Sequence, residues 1–252
     1  MEIISILNRK GGTGKTATAH ALGTGLVKAK KKVLMIDLDS QLNLTWTANI
    51  QAKYTAYELL STEESENNAI PIEEFIVKTD QGDYIAGSEK MALIDLEAQK
   101  RLTTTHTLNK ILKALKDKYD FVIIDTPAQL GLVTLNSLDA SDSIIIPVQA
   151  DAYSIAGIKQ LLGVISEMKD NLRIRGLLLT RYSNRSILSR QMKDSLNDIA
   201  KQLGTKLYKT PIRECIAIKE AAASQCNIYD YAPSSNAAAD YMDFVKEFLK
   251  QK

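Results

Sequence analysis

The sequence predicts an α/β protein in which helices flank a doubly wound, mainly parallel β-sheet. Short apolar runs, typical of buried parallel strands, alternate with helical periodicities, and a glycine-rich segment follows the first run directly. The chain has 252 residues, of which 45% are hydrophobic, and this suffices for a sizeable core. We therefore expect one large domain that spans residues 1–252.

The predicted strands and helices alternate along the chain. Apolar residues recur with the spacing of one helix face from Leu108 to Tyr119 and again from Ile155 to Met168. Strands that alternate with helices favour parallel pairing. The predicted strands are Ile3–Leu7, Val33–Ile36, a weaker one at Tyr84–Ala86, Phe121–Ile124, Ile144–Val148 and Leu177–Leu179.

The segment Asn8–Thr16 has the composition of a phosphate-binding loop. Its three glycines allow the backbone to approach phosphate oxygens closely and to turn N–H groups toward them. A helix predicted to begin near Lys15 would direct the positive end of its dipole at the anion. In such loops the lysine contacts the β- and γ-phosphates and the following hydroxyl, here that of Thr16, binds Mg²⁺.

This loop departs from the usual pattern G-x-x-x-x-G-K-[ST], because Arg9 holds the first glycine position and Lys10 precedes Gly11 and Gly12. The pattern N-x-K-G-G-x-G-K-T resembles the deviant Walker A motif of the ParA/MinD superfamily of P-loop ATPases. In that family a lysine at the position of Lys10 reaches across an ATP-sandwiched dimer to the other subunit's nucleotide. The resemblance implies ATP binding, ATP hydrolysis and a homodimer in the ATP-bound state.

Three carboxylates extend the resemblance. Asp37 and Asp39 are two residues apart and face one side if the strand stays extended. The family pattern D-x-D-x-Q places Asp37 near the Mg²⁺ shell and gives Asp39 the role of orienting or activating the attacking water, with Ser40 where family members often have proline. Asp125 ends an apolar strand as a Walker B acid does, and Thr126–Ala128 opens switch II with D-T-P-A in place of the usual D-T-P-P.

The chemistry that the resemblance implies is in-line attack of water on the γ-phosphorus of ATP, with Mg²⁺ as the metal. It assigns catalysis to Lys10, Lys15 and Asp39, and the metal to Thr16, Asp37 and Asp125. Pro211 and Ile212 are assigned to the nucleotide base, and the alternative is that Pro211 forms a turn and Ile212 a core contact. The residues assigned to the nucleotide are Lys10, Gly11, Gly12, Thr13, Gly14, Lys15, Thr16 and Thr18, with Pro211, Ile212 and Arg213 at the base.

Positive charge is concentrated in residues 169–219, which hold twelve Lys or Arg against four Asp or Glu, while the whole chain has a net charge of +2. A basic loop follows the last predicted strand, and the helix after it is predicted to present basic residues opposite an apolar face. Such a surface suits phosphate contacts without base reading, and a solvated helix face is the alternative. ParA-type members of the family use basic surface in this half for nonspecific DNA binding. The residues predicted to contact DNA are Arg181, Arg185, Arg190, Lys193 and Lys219.

Other branches of the superfamily fit less well. Nitrogenase iron proteins need cluster-ligating cysteines, whereas Cys215 and Cys226 come too late in the chain. MinD-like proteins carry a C-terminal amphipathic membrane helix; the stripe from Tyr241 to Leu249 is amphipathic, but packing on the core is favoured because the polar face is not rich in basic residues. No apolar run is long enough to span a bilayer and no signal peptide is evident, so we expect a cytoplasmic protein without a membrane partner.

The sequence therefore predicts a short, Soj-like ParA partition ATPase with ATP and Mg²⁺ as cofactors. Its expected partners are a second copy of the chain, nonspecific double-stranded DNA and a ParB-like centromere-binding protein that stimulates hydrolysis. A MinD-like membrane-associated positioning ATPase and a nucleotide-gated scaffold are the alternatives. The acids between Glu58 and Glu74 are expected to be solvated, with docking of a basic partner segment as the alternative.

Overall fold

The computed structural model describes residues 1–61, 70–98, 105–151, 154–168 and 172–250. The strands are β1 (Glu2–Ile6), β2 (Val33–Asp37), β3 (Ile76–Thr79), β4 (Gly82–Ile85), β5 (Phe121–Asp125), β6 (Ser143–Gln149) and β7 (Arg173–Thr180). They form one seven-stranded sheet in the order β3-β4-β2-β5-β1-β6-β7. All neighbours pair in parallel except β3 and β4, so the predicted fold class is confirmed.

Helices lie on both faces of this sheet. Residues that alternate along β1 belong to different cores, since Ile4 and Ile6 join a cluster with α1 and α11 whereas Ile3 joins one with α5. This alternation is what a sheet covered on both faces requires. The helices are α1 (Lys15–Lys28), α2 (Asn43–Thr47), α3 (Ala56–Ser61), α4 (Ile94–Ala98), α5 (Thr107–Lys113), α6 (Leu132–Ala140), α7 (Ser154–Met168), α8 (Ile187–Gln202), α9 (Ile216–Ala223), α10 (Ile228–Tyr231) and α11 (Asn236–Leu249).

The edge strand β3 is the strand that the sequence did not predict. β3 has only Ile76 and Val77 as strongly apolar residues, and both are half-buried. It turns back at Asp80 to pair with β4 in antiparallel register. A short edge strand covered on one side leaves a weak apolar signal. The weaker strand predicted at Tyr84–Ala86 overlaps the buried end of β4 at Tyr84 and Ile85 and extends one residue beyond it.

The predicted helix that included Tyr119 is shorter than expected. α5 ends at Lys113, and the chain continues in turns to Lys118. Leu115 and Tyr119 nevertheless pack into the same core as α5, and the Tyr119 hydroxyl donates to Asp83 at 2.6 Å. The apolar spacing thus predicted correctly which residues are buried, but the predicted helix extended past the end of α5. In α7, Ile158, Leu161 and Ile165 are buried as predicted, and the side chains of Ile155 and Met168 lie outside the described set.

The C-terminal helix α11 packs on the core, as favoured from the sequence. Tyr241, Phe244, Val245 and Phe248 are each at most 2% exposed and join the cluster around α1. The apolar stripe that a membrane-surface helix would need is therefore already covered. In the described part of the chain, no helix combines the length and apolar character needed to cross a bilayer.

The sheet brings three segments of interest to one edge. In the register of the parallel pairs, Asp125 at the end of β5 lies opposite both Ile6 of β1 and Asp37 of β2. The carboxyl ends of parallel strands are where ligands bind in open α/β sheets. The loop after β1 and the two strand-end carboxylates therefore face one place.

Candidate functional site

The loop between β1 and α1 has the conformation of an anion cradle. Gly12 and Gly14 have φ of +75° and +85°, in the left-handed region where only glycine is unstrained. α1 begins at Lys15, directly after Gly14, as predicted from the sequence. The N–H groups of its first turn have no partners within the helix, so they and the helix dipole can act on an anion.

A cleft of about 440 Å³ opens at this loop. Gly11, Gly12, Gly14, Lys15 and Thr16 line one side of it. The segment after β2, residues 39–41 with Asn43, and the segment after β5, residues 127–129, line the other side. The structure therefore brings together the phosphate loop and the two segments predicted to act as switches.

Lys15 is the buried cation of the cleft, with only 8% of its surface exposed. Burial lowers the pKa of its ammonium group, and the nearby carboxylates of Asp125 and Asp39 raise it in part. A cation in a desolvated position interacts strongly with a phosphate that enters the cleft. Its placement suits the role predicted for it.

Asp37 and Asp125 are buried carboxylates, and the cationic side chains among the described residues do not fully balance their charge. Asp37 accepts hydrogen bonds from the Thr45 N–H at 2.8 Å and the Thr45 hydroxyl at 2.7 Å, yet burial raises its pKa to about 6. Burial and the charge of Asp37 raise the pKa of Asp125 well above its ordinary value, while Thr16 and Lys15 lower it in part. Both carboxylate oxygens of Asp125 are buried without a hydrogen-bond partner among the described residues.

This donor set fits a magnesium ion. Carboxylate and hydroxyl oxygens are the ligands that Mg²⁺ prefers, and a divalent cation would compensate the buried charge of Asp37 and Asp125. Within the described ranges no cluster of three or more His, Cys, Asp or Glu is arranged to hold a metal. The site would therefore depend on these two acids, the Thr16 hydroxyl and oxygens from phosphate and water.

Asp39 differs from the other two acids because it lines the cleft itself. Its N–H donates to Asp37 at 3.1 Å, and its Oδ1 accepts the N–H of Gln41 at 3.0 Å. These bonds hold the side chain at the mouth of the cleft, where it is half-buried. A carboxylate in that position can contact a water molecule, which agrees with the predicted role.

Lys10 lies outside the cleft on the outer side of the loop. Its N–H donates to Asn8 Oδ1 at 2.9 Å, and Asn8 Nδ2 donates to the Pro147 carbonyl at 2.6 Å. The Lys10 ammonium forms an ion pair with Asp151, and 40% of the lysine side chain is exposed. Asp151 was missed from the sequence, although its position just beyond β6, the neighbour of β1, is a signal that could have identified it.

Comparison with known proteins agrees with this geometry. The AAA_31 family model, an AAA domain, matches residues 1–176. Sporulation initiation inhibitor protein Soj of Bacillus subtilis is 34% identical over 98% of this chain and 97% of its own length. Chromosome-partitioning ATPase Soj of Thermus thermophilus is 31% identical over 98% of this chain and 94% of its own.

A solved structure supports the same assignment. Cobyrinic acid a,c-diamide synthase from Mycobacterium smegmatis, with bound ADP and magnesium, has a TM-score of 0.81 and 26% identity, over 99% of this chain and 94% of that one. The chain belongs to the ParA/MinD superfamily. Proteins of this superfamily are P-loop ATPases, and this ParA/MinD protein is close to the Soj-like ParA members.

Two residues that the family resemblance assigned to the nucleotide need correction. The Thr18 side chain is fully buried, its hydroxyl lies 3.5 Å from that of Tyr241, and Thr18 is not among the described residues that line the cleft. Ile212 is 1% exposed and belongs to the core around α1. The Ile212 N–H also donates to the Leu179 carbonyl at 2.8 Å, and the Ile212 carbonyl accepts the Tyr182 N–H at 2.9 Å, so Ile212 is the core contact that was the alternative reading.

The remaining predicted nucleotide residues have structural roles that the sequence did not reveal. The Thr13 hydroxyl donates to the Lys10 carbonyl at 3.3 Å, and the Thr13 carbonyl accepts the Thr180 hydroxyl at 2.8 Å, so Thr13 braces the loop against β7. The Arg213 guanidinium donates to Asp240 at 2.6 Å and 2.9 Å. Pro211 is half-buried, and its contact with the nucleotide base stays a prediction.

Four of the five residues predicted for DNA lie on one segment of this ParA/MinD protein. Arg185 and Arg190 are exposed, and Arg181 is exposed and ion-paired with Glu214 at 2.7 Å. The Lys193 ammonium lies 5.9 Å from the Tyr182 ring. We call Arg181, Arg185, Arg190 and Lys193 the basic surface. The opposite face of α8 is buried through Met192, Leu196 and Ile199, as predicted.

Lys219 is separate from this set. It is exposed on α9 and lines a second cavity between α1, α2 and α9. Of the acids expected to be solvated, Glu73 and Glu74 are exposed, and Glu73 pairs with Lys118. Glu58 is half-buried and accepts both the N–H and the hydroxyl of Thr55. Residues 62–69 of that acidic stretch lie outside the described residues.

Proposed function

We propose that this protein is a partition ATPase, a single ATPase domain that binds Mg²⁺ and ATP in the cleft and forms an ATP-dependent dimer. The dimer holds nonspecific double-stranded DNA, and hydrolysis, stimulated by a ParB-like partner, releases it. The observation that carries this proposal is the position of Lys10, which faces out of its own cleft while Lys15 occupies it. Relatives named as chromosome-partitioning proteins support the biological role.

In the proposed hydrolysis, each residue has one task. Lys15 and the N–H groups at the start of α1 bind the β- and γ-phosphates. Thr16, Asp37 and Asp125 hold Mg²⁺, which neutralises phosphate charge when bound. Asp39 orients the attacking water for in-line displacement and accepts its hydrogen bond. The bound ADP and magnesium of the Mycobacterium smegmatis structure support this choice of cofactors.

In the proposed dimer, the Lys10 ammonium leaves the Asp151 carboxylate and binds the triphosphate of the second protomer. The ion pair with Asp151 holds the ammonium near the rim of the cleft, where a second protomer's triphosphate would replace the carboxylate. Because the triphosphate carries more negative charge than one carboxylate, this exchange is favourable only when ATP is present on the partner. Dimerisation then depends on whether ATP is bound.

The basic surface is the proposed DNA contact. Its arginines are exposed, and phosphate contacts by such residues give binding that falls steeply with salt and does not read sequence. The sensitive test is DNA binding at graded salt, with ATP and with ADP, for the variant Arg185→Gln/Arg190→Gln. Its control, Lys113→Gln/Lys116→Gln, removes two exposed charges near the end of α5.

We expect wild type to bind DNA with ATP and not with ADP. The arginine variant should lower the slope of log affinity against log salt by about two per protomer, whereas the lysine control should not change it. An unchanged slope in the arginine variant would exclude the basic surface. Liposome flotation with ATP tests the membrane alternative, and turnover with and without DNA and partner tests the scaffold alternative.

A further inference from the structure

The loop between β5 and α6, residues 126–131, forms part of the wall of the nucleotide cleft. We call it the switch II loop. The Thr126 hydroxyl donates to the Ile6 carbonyl at 2.8 Å, which ties the start of the loop to β1. Residues 127–129 then line the cleft together with Asp39. A group that fixes the far end of this loop therefore fixes one wall of the cleft.

The far end of the switch II loop is held by a residue from another element. Asp95, on α4, accepts the N–H of Leu132 with its Oδ1 at 2.6 Å. Leu132 is the first residue of α6, and the preceding Gly131 has no side chain that could cap the helix. The first N–H groups of a helix have no partners within it, and a carboxylate is favourable beside them. Asp95 therefore caps α6 and fixes the position of its first turn.

The contact between Asp95 and the start of α6 leaves no room for a side chain at Gly131. A Cβ atom added there would collide with the Asp95 carboxylate, whose Cγ would be only 2.6 Å away. Gly131 has φ of −108°, in the extended region that any residue adopts, so its backbone conformation does not require glycine. The glycine at this position thus permits the close approach of Asp95.

Hydrogen bonds and packing continue from this contact to the cleft. Thr134, in the first turn of α6, is fully buried and donates its hydroxyl to the carbonyl of Gln129 at 2.6 Å. Gln129 is one of the residues that line the cleft. Ile94, the neighbour of Asp95, is 2% exposed and lies in the same core cluster as Val133. α4 is thus fixed on the core, and a continuous series of contacts leads from Asp95 through α6 to the cleft.

We propose that Asp95 is a positioning residue for ATP hydrolysis, which acts through α6 on the switch II loop. This inference rests on the proposed function, in which the attacking water lies in the cleft beside Asp39. Asp95 is not among the described residues that line the cleft, so its effect is indirect. When it holds α6, residues 127–129 keep one arrangement, and the water is aligned with the γ-phosphorus. When it is lost, alignment suffers while the phosphates and Mg²⁺, which other segments hold, stay bound.

A helix cap that only stabilises the fold would leave turnover unchanged, and a matched hydrogen bond elsewhere serves as the control. Asp120 is also exposed and accepts a backbone N–H, that of Lys32, at 2.8 Å. It directly precedes β5 and so lies at the amino end of that strand, whereas the cleft lies at the carboxyl ends. Asp120→Ala therefore breaks the same kind of bond at the opposite edge of the sheet.

The experiment measures kcat and KM for ATP with Mg²⁺, at a protein concentration that saturates the rate, and the stability of each variant by urea denaturation. Asp95→Ala should lower kcat about tenfold and leave KM within about twofold of wild type. Asp95→Asn keeps an oxygen that accepts the Leu132 N–H, so its kcat should stay within about threefold of wild type. Asp120→Ala should lose as much stability as Asp95→Ala but keep the kcat of wild type.

Gly131→Ala tests the same contact from the other side. Its methyl group should displace the Asp95 carboxylate and lower kcat about tenfold, as Asp95→Ala does. Because both changes break one contact, the double variant Asp95→Ala/Gly131→Ala should be at most about twofold slower than the slower single variant. If Asp95→Ala fails to fold, Gly131→Ala decides: a lower kcat supports the inference, and a wild-type kcat overturns it.

Three results would overturn the inference and leave the proposed ATPase intact. They are a wild-type kcat in folded Asp95→Ala, an equal loss of kcat in Asp120→Ala and Asp95→Ala, and a raised KM with unchanged kcat in Asp95→Ala. In each of them the wild-type protein still turns over ATP. A wild-type protein that binds ATP and Mg²⁺ without any turnover, alone or with DNA and partner, would instead overturn the proposed function and this inference with it.

Discussion

The phosphate loop has an inner side, where Lys15 lines the cleft, and an outer side, where Lys10 lies outside it. The two sides differ in how much of a binding site one chain supplies. On the inner side, Lys15 lies in a cleft with buried carboxylates, and only phosphate and metal are needed to balance the charges. On the outer side, Lys10 is 40% exposed and paired with Asp151, and it is not among the described residues that line the cleft. In the proposed function, the inner side binds a nucleotide within one chain, whereas the outer side acts only when a second protomer is present.

The largest effect is expected from the inner side. Lys15→Gln should reduce ATP affinity and turnover by about a hundredfold or more, because the buried cation that balances the phosphates is lost. Calorimetric titration with ATP and a phosphate-release assay measure both. If Lys15→Gln bound ATP as wild type does, the inner side would not be the phosphate site, and the comparison would fail at its first step.

Asp39→Ala sharpens the comparison by separating binding from chemistry. Turnover should fall by about a hundredfold while ATP affinity stays within about threefold, since the proposed mechanism assigns the attacking water to Asp39 and the phosphates to other groups. Steady-state hydrolysis and equilibrium titration on the same preparation give both numbers. Normal turnover in this variant would remove Asp39 from the mechanism.

A smaller effect is expected from the outer side when its ion pair is broken. Asp151→Asn removes the carboxylate that holds Lys10 in its own protomer, so ATP should dimerise the variant at about threefold lower protein concentration. Sedimentation velocity over a concentration series measures this. The control Asp230→Asn breaks a comparable exposed pair, with Lys28, and should leave dimerisation unchanged. A higher concentration requirement for Asp151→Asn would mean that Asp151 supports the dimer.

The smallest effect on turnover is expected behind the cleft, at His20. Its pKa of about 4 in the folded protein lies below the ordinary 6.5, so its contribution to stability is present above pH 6.5 and is lost as the pH falls toward 4. His20→Leu should unfold at about the same urea concentration as wild type at pH 7. At pH 4.5 it should be more stable by roughly 2 kcal/mol, with turnover at pH 7 unchanged.

Urea denaturation at the two pH values tests this. The Thr24 hydroxyl donates to the His20 backbone carbonyl, a bond that His20→Leu retains. An equal loss of stability on acidification in both proteins would show that His20 is not kept neutral by burial.

The inner side could be predicted from the sequence because its signals are local. A strand, three glycines and Lys15 follow one another directly, and Asp37 and Asp125 each end an apolar strand. Since parallel strands end at one edge, the sequence also indicates that these acids meet. The sheet register that places Asp37 opposite Asp125 agrees with this expectation.

The rest depends on contacts between distant parts of the chain. Asp151 is an ordinary acid in sequence, and only the placement of β6 beside β1 brings it to Lys10. Thr18 and Ile212 were assigned to the nucleotide by family resemblance, but tertiary packing buries both. Asp95 meets α6 only through tertiary packing as well, and no sequence pattern links the two.

The most direct test of the account is the oligomeric state of Asp39→Ala and Asp39→Ala/Lys10→Gln with ATP and Mg²⁺, measured by sedimentation equilibrium. Blocking hydrolysis keeps ATP bound, so the two proteins differ only in the outer lysine. The account predicts that Asp39→Ala is a dimer with ATP and a monomer with ADP, and that the double variant binds ATP equally well but stays monomeric. A double variant that dimerises with ATP as readily as Asp39→Ala would contradict it.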